Sequence, residues 1–222
     1  MKIGLDMGHT LSGAGTGANG YASETVKNRE AGKRLMTMLR EKGHTVIDCT
    51  VDKSSNELSD RCKKANAQSL DLFVSLHLNA YRSTTADMGL ETYSYSTSGK
   101  GREYATKIQR ELIAATGWKD RGCKTANFYV LKNTKAPAIL VELGFCDSKA
   151  DMDKWNTEKI AAALFKGITG TTYISPASQA PTQSETMYRV CVGSYSNKAN
   201  AEAQQQKLKK AGFDSFLVAY KN

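Results

Sequence analysis

Histidine is scarce in this chain, and its cysteines stand apart from one another. Histidine occurs three times, at His9, His44 and His77. The five cysteines are scattered with no CxxC pair. An odd, dispersed set reads as free thiols of structural use and not as a disulfide framework. No apolar run approaches the ~20 residues needed to span a bilayer. Asp6 and Gly8 interrupt the N-terminal segment early, so it does not read as a signal peptide. The expectation is synthesis in the cytoplasm, with any work outside requiring another exit route. Positive charge, by contrast, is plentiful. Lysine and arginine number 31 against 22 acids, a formal charge of +9. That balance favours a polyanionic partner: nucleic acid, a membrane surface or a cell-wall polymer.

The stretch Asp71–Ala80 organises the reading. Leu72-Phe73-Val74 opens an apolar run of strand formers, and His77 and Asn79 lie near its carboxyl end. Open α/β sheets bind their ligands outside the carboxyl ends of strands. His9 closes another strand, Lys2 to Met7. Two strand-end histidines suit a metal or an acid/base site, and a hydrogen-bonded pair of core histidines uses the same pattern. His44 starts the second strand, at the opposite edge from His9, and reads as structural. Between Gly13 and Gly20 lies a GxGxxG pattern. Its first glycine stands several residues beyond the strand, so a dinucleotide site with Asp48 as ribose acid is a poor fit. No Lys-Ser/Thr follows Gly20, which removes a Walker loop. The remaining reading is a flexible loop rim.

Ser23 is placed to cap a helix that stops at Gly43, with Glu24 in its first turn and Val26, Leu35, Met38 and Leu39 on its inner face. An acid there is favoured by the helix dipole alone. Leu58–Ala67 is a short helix, Gly89–Tyr95 a strand, and Tyr104, Ile108 and Leu112 one face of a further helix. Arg121–Leu131 reads as extended. Pro137–Phe145 is an apolar strand with Glu142 inside it, a placement that is costly unless the charge is paired or metal-bound. Ile160, Leu164 and Ile168 close the domain. A linker over 171–186 holds Pro176 and Pro181 and almost no charge. Then a strand at Tyr188–Tyr195, a helix at Ala199–Ala211 and a strand at Phe216–Tyr220 make one small βαβ unit. The fold class is α/β: a mixed, mostly parallel sheet flanked by helices over 1–170, plus a small half ferredoxin-like module over 187–222.

The segments GHTLSGAGTGANGYASE, LFVSLHLNA, GLETY and VLKNTKAPAILVELGF occur in an order and at gaps that closely resemble the zinc-dependent N-acetylmuramoyl-L-alanine amidases of the AmiC/CwlV type, the third amidase family. The resemblance runs from Lys2 to about Gly170. It implies one zinc per chain on His9, Glu24 and His77, with Glu142 as catalytic acid/base. Three protein ligands leave a position open for water, whose pKa the metal lowers. The bond implied is the amide between N-acetylmuramic acid and L-alanine of peptidoglycan. Asn79 and Glu91 match family positions and are expected to support the site.

Asp6-Met7-Gly8-His9 departs from the family's usual Asp-Pro-Gly-His opening but keeps the ligand. Some relatives carry a long insertion after the fourth strand that covers the zinc, and Tyr95–Gly101 leaves no room for one. The tail resembles half of a sporulation-related (SPOR) repeat, a peptidoglycan-binding module, and an incomplete unit of that kind is expected to pair as a homodimer through residues 187–222. The whole reads as a phage endolysin or a mother-cell autolysin acting on the wall after release, with no nucleic-acid or membrane partner. The alternatives are a basic nucleic-acid-binding protein using the tail, and a zinc peptidase acting on wall peptides.

Overall fold

A computed structural model describes residues 1–175, 192–213 and 215–219. The chain divides into two compact units, residues 1–179 and 180–222. In the first, six strands form one sheet: β1 Lys2–Met7, β2 Thr45–Asp48, β3 Leu72–Asn79, β4 Leu90–Ser94, β5 Asp120–Thr125 and β6 Ala138–Phe145. Their order is β2-β1-β3-β6-β4-β5. All neighbouring pairs are parallel except β4 against β6. The mixed, mostly parallel sheet read from the sequence is the sheet observed.

Strand alternation divides the core in two. Ile3, Leu5 and Met7 of β1, Leu72, Val74 and Leu76 of β3, and Ile139, Val141 and Leu143 of β6 share one cluster with the long helices α1 (Glu24–Glu41), α3 (Gly99–Thr116) and α6 (Thr157–Thr169). The other face carries Phe73, Ala138 and Leu140, covered by α2 (Glu57–Asn66) and the short α4 (Tyr129–Asn133). The two layers therefore differ in thickness. Asp6, Ser75, His77 and Glu142 hold the alternate positions of the thinly covered face, towards the carboxyl ends of β1, β3 and β6.

Several local expectations change. Val26 is 53% exposed, because the buried stripe of α1 runs through Thr25, Asn28, Ala31 and Leu35. Tyr129–Asn133 is a helix where extended chain was expected, since Val130 and Leu131 both turn into the smaller core. A short helix at Lys149–Asp153, α5, was not foreseen; Ser148 caps it by accepting from the Asp151 amide at 3.1 Å. Beyond α6, Tyr173 packs its ring 5.5 Å from Phe165 and hydrogen-bonds Glu41. No helix among the described residues is long and apolar enough to cross a membrane.

In the second unit, α7 spans Lys198–Lys210, capped by Asn197. Ala201, Gln204, Gln205 and Leu208 form its half-buried face, and none of its residues is fully buried. Among the described residues, Val192–Tyr195 and Phe216–Ala219 carry no strand assignment. Tyr188–Cys191 and Tyr220 lie outside the described residues. Val192, Phe216 and Val218 are at least 50% exposed.

Candidate metal centre and general base

β1 is flanked by β2 on one side and β3 on the other, so the chain reverses direction of winding at β1. Ligands gather at such a switch point, outside the strand ends. His9 follows β1 there and His77 lies near the end of β3. Glu24 opens α1 and reaches over the same edge. His9 Nε2 and His77 Nδ1 lie 2.8 and 3.1 Å from Glu24 Oε1, and 3.1 Å from each other. The three ligand atoms fall within 4.8 Å of one another. His44 is elsewhere, at the amino end of β2, edge-on to Phe165.

Each of the three is aimed by the backbone around it. His9 Nδ1 donates to the Gly15 carbonyl at 2.9 Å, which leaves the Nε2 lone pair for the centre. Glu24 accepts from the amides of Ala18 (2.9 Å) and Leu78 (3.1 Å). The glycine-rich loop is thus no flexible rim: its carbonyls and amides hold two of the three side chains. Gly8 is required by close approach, because a Cβ there would meet the His77 ring at 2.3 Å. His9 itself sits at φ +67°, the only non-glycine residue with positive φ among the described residues. That conformation costs about 1–3 kcal/mol and persists only where the surroundings impose it.

The electrostatics follow from the crowding. Burial pushes the Glu24 carboxyl up, but hydrogen bonds from His77 and His9, and their charges, more than offset this and hold it well below the carboxylate range. Burial pulls the His9 imidazole down, while Glu24 and the Gly15 carbonyl raise it further than burial lowers it. Two imidazole nitrogens and a carboxylate oxygen at these separations repel unless a proton or a cation lies among them. A cation is what a His2Glu donor set takes, and that set matches catalytic zinc sites with one position left open.

Glu142 pairs with His77 across β3–β6, and Glu91 pairs with Glu142 across β4–β6, so the three side chains share a face. The two acids differ sharply. Glu91 accepts from Asn79 (2.8 Å) and Tyr93 (2.7 Å) at Oε1, and from Arg121 (2.8 Å) and Lys124 at Oε2. Although burial raises its pKa, these donors bring it below the ordinary value. Glu142 has a buried Oε2 with no hydrogen-bond partner. Burial first, then the charges of Glu24 and Glu91, push its carboxyl up to about 8.

Residues that the sequence reading passed over support the site. Arg61, 2% exposed, donates to the carbonyls of His9 (2.7 Å) and Val51 (3.1 Å) and pairs with buried Asp6, which Ser75 also holds at 2.7 Å. Arg29 donates to the carbonyls of His9 (3.0 Å) and Gly8 (3.2 Å). On the far side, Asp151 is fully buried and accepts from the amides of Phe145, Met88 and Gly89 at 2.9–3.0 Å. A charge inside a strand, as at Asp6, was the one available signal, and it was the same signal that marked Glu142. The connection Tyr95–Ser98 lies at the end of the sheet away from the centre, where Gly101 approaches Ala138, so its brevity does not bear on cover for the centre.

The family model described as N-acetylmuramoyl-L-alanine amidase matches residues 3–171. A SPOR domain model matches residues 156–219, beginning at the cap of α6, whose buried face belongs to the first unit's core. The sporulation-specific N-acetylmuramoyl-L-alanine amidase of Bacillus subtilis (strain 168) is 32% identical over 98% of this chain and 84% of its own length. Among solved structures, the catalytic domain of the CD27L endolysin targeting Clostridia difficile superposes with a TM-score of 0.68 at 34% identity, covering 78% of this chain and 98% of that one. The catalytic domain of CwlV, an N-acetylmuramoyl-L-alanine amidase from Bacillus (Paenibacillus) polymyxa var. colistinus, does so at 0.67 and 27%, covering 76% and 96%. With one model running from β1 through α6 and a relative aligned almost end to end, the chain belongs to the N-acetylmuramoyl-L-alanine amidase family.

Proposed function

We propose that this amidase cleaves the bond between N-acetylmuramic acid and L-alanine as a zinc hydrolase, with His9, Glu24 and His77 holding one zinc and Glu142 as general base. The observation that carries the reading is the convergence of three donor atoms beside a carboxylate oxygen with no partner. Zinc bound there supplies Lewis acidity, which acidifies water and polarises a carbonyl. Glu142 Oε2 takes a proton from the attacking water as its oxygen adds to the lactyl carbonyl carbon. The same carboxyl then gives that proton to the alanine nitrogen as the C–N bond breaks. A pKa near neutrality suits both transfers, and a cation beside Glu24 brings the Glu142 carboxyl below its raised value. Glu91 is unsuited to this work because four donors occupy its oxygens. Its fixed charge instead orients Asn79, Tyr93, Arg121 and Lys124 along the same edge.

The tail, residues 187–222 with 171–186 as linker, binds the wall in this reading, supported by the SPOR match and by Lys198, Lys207, Lys209 and Lys210 on α7. Exposed Phe213, Phe216, Leu217 and Val218 are the surface through which two copies would pair, and light scattering of the full chain tests that. A protein of this kind acts after release at the wall, as an endolysin or an autolysin. The deciding experiment digests purified peptidoglycan and identifies the new end group. A free L-alanine amine supports the amidase, and a new amine within the peptide supports a zinc peptidase. Chelation should abolish the release and added zinc restore it; full activity in stoichiometrically metal-free protein would end the zinc reading.

A further inference from the structure

We infer that Arg61 and Arg29 form a two-guanidinium clamp on the His9 carbonyl that holds this residue in the left-handed conformation and so aims its imidazole at the centre. The inference rests on the reading of His9 as a metal ligand. Three observations support it. His9 is the only described non-glycine residue with positive φ, a conformation that histidine visits more readily than most residues but that stays uncommon without support from its surroundings. Its carbonyl oxygen accepts from both guanidinium groups, at 2.7 Å from Arg61 and 3.0 Å from Arg29. The two arginines come from different helices on different sides of the sheet, α2 and α1, so their meeting at one oxygen does not follow from either helix alone.

The clamp is itself anchored. Arg61 is buried against Asp6, which takes a second bond from Ser75 on β3, and Arg61 reaches the Val51 carbonyl as well. Arg29 bonds the Gly8 and Thr25 carbonyls and the Asp52 carboxylate, the last at 2.5 Å. A planar guanidinium satisfies several acceptors in fixed directions at once, and an ammonium does not. Rotating the His9 peptide back to a right-handed or extended conformation would withdraw its carbonyl from both donors. The imidazole would then turn away from Glu24 and His77, even though Gly15 still accepts from Nδ1. Neither arginine contacts the ligand atoms, so both are positioning residues acting through the backbone.

The test measures zinc affinity by competition with a chromophoric chelator, alongside the thermal midpoint of the metal-free protein. Arg29→Met is the primary variant. Its acid partner Asp52 has a side chain 59% exposed, so the change leaves no buried unpaired charge. Arg61→Met is made together with Asp6→Asn for the same reason. Each should weaken zinc binding about 10–100-fold, the range for residues that orient ligands. Arg29→Lys, which reaches one carbonyl but not both, should recover part of the loss. If the Arg61 pair does not fold, Arg29→Met and Arg29→Lys decide alone. Zinc affinity within twofold of wild type in folded Arg29→Met overturns the clamp, as does equal loss in the Met and Lys variants. Failure of the wild type to bind zinc would instead count against the metal reading.

Discussion

Replacing Glu142 by Gln keeps the shape and removes the charge. In the metal-free protein the carboxyl is pushed up to about 8 from an ordinary 4.5. An acid with a raised folded pKa costs stability once the unfolded chain has ionised. The cost is absent below the ordinary value, grows as pH rises, and levels off above the folded one. At pH 7 the gap is about 2.5 units at ~1.4 kcal/mol each, or roughly 3.5 kcal/mol. Glutamine carries no such penalty. The metal-free variant should therefore melt higher than wild type at pH 7, by roughly 7–14 °C for a chain of this size, and alongside it near pH 4. Calorimetry of both proteins across that range reads the difference directly. Zinc should narrow the gap, because a cation offsets the charge of Glu24. Turnover should fall by roughly 10²–10⁴ with zinc content unchanged. A variant less stable than wild type at pH 7 would refute the unpartnered oxygen, and one that loses zinc would make Glu142 a ligand.

Gly8→Ala places a Cβ 2.3 Å from the His77 ring, so the ring must shift by about an ångström; turnover on soluble muropeptides should drop roughly 10²-fold while the protein remains folded by circular dichroism. A fragment ending at Gly170 should be less stable in urea than one ending at Ser175, by roughly 1–3 kcal/mol, because it lacks the Tyr173 ring against Phe165, Arg34 and Lys42. Both fragments should cut soluble muropeptides and bind intact wall more weakly than the full chain; equal wall binding would remove the tail from that role.

The sheet was legible because its signals are local and strong, and His9, His77 and Glu142 of the candidate site stood out for the same reason, whereas Glu24 came from the family resemblance, since the helix dipole alone accounts for an acid at that position. A histidine near the end of an apolar run, and an acid inside one, are costly placements that call for a reason. What surrounds them was not legible. Arg61 and Arg29 lie among other charges on helices, where an arginine normally reads as solvated. Only the fold shows that α1 and α2 turn those two inward to one carbonyl. The left-handed turn at His9 leaves no mark in the residue type, since histidine is not a residue that requires it. Val26 went wrong because the buried stripe of α1 is partly polar, with Thr25 and Asn28 taking positions that hydropathy assigns to solvent.

The reversed direction of β4 brings the chain back to the centre immediately after β3, so residues 80–89 border it without crossing the sheet. That connection is stitched in place. Thr84 exchanges amide–carbonyl bonds with Asp147 and Lys149, Ser148 Oγ donates to the Ala86 carbonyl, and Asp151 receives the Met88 and Gly89 amides. These two stretches form a single cassette. Exchanging residues 80–89 for a loop of different length or backbone course would withdraw the Met88 and Gly89 amides and leave buried Asp151 only the Phe145 amide, whereas moving 80–89 and 146–151 together carries the whole seam. Chimeras meant to alter which wall this enzyme attacks would have to be cut at those joints.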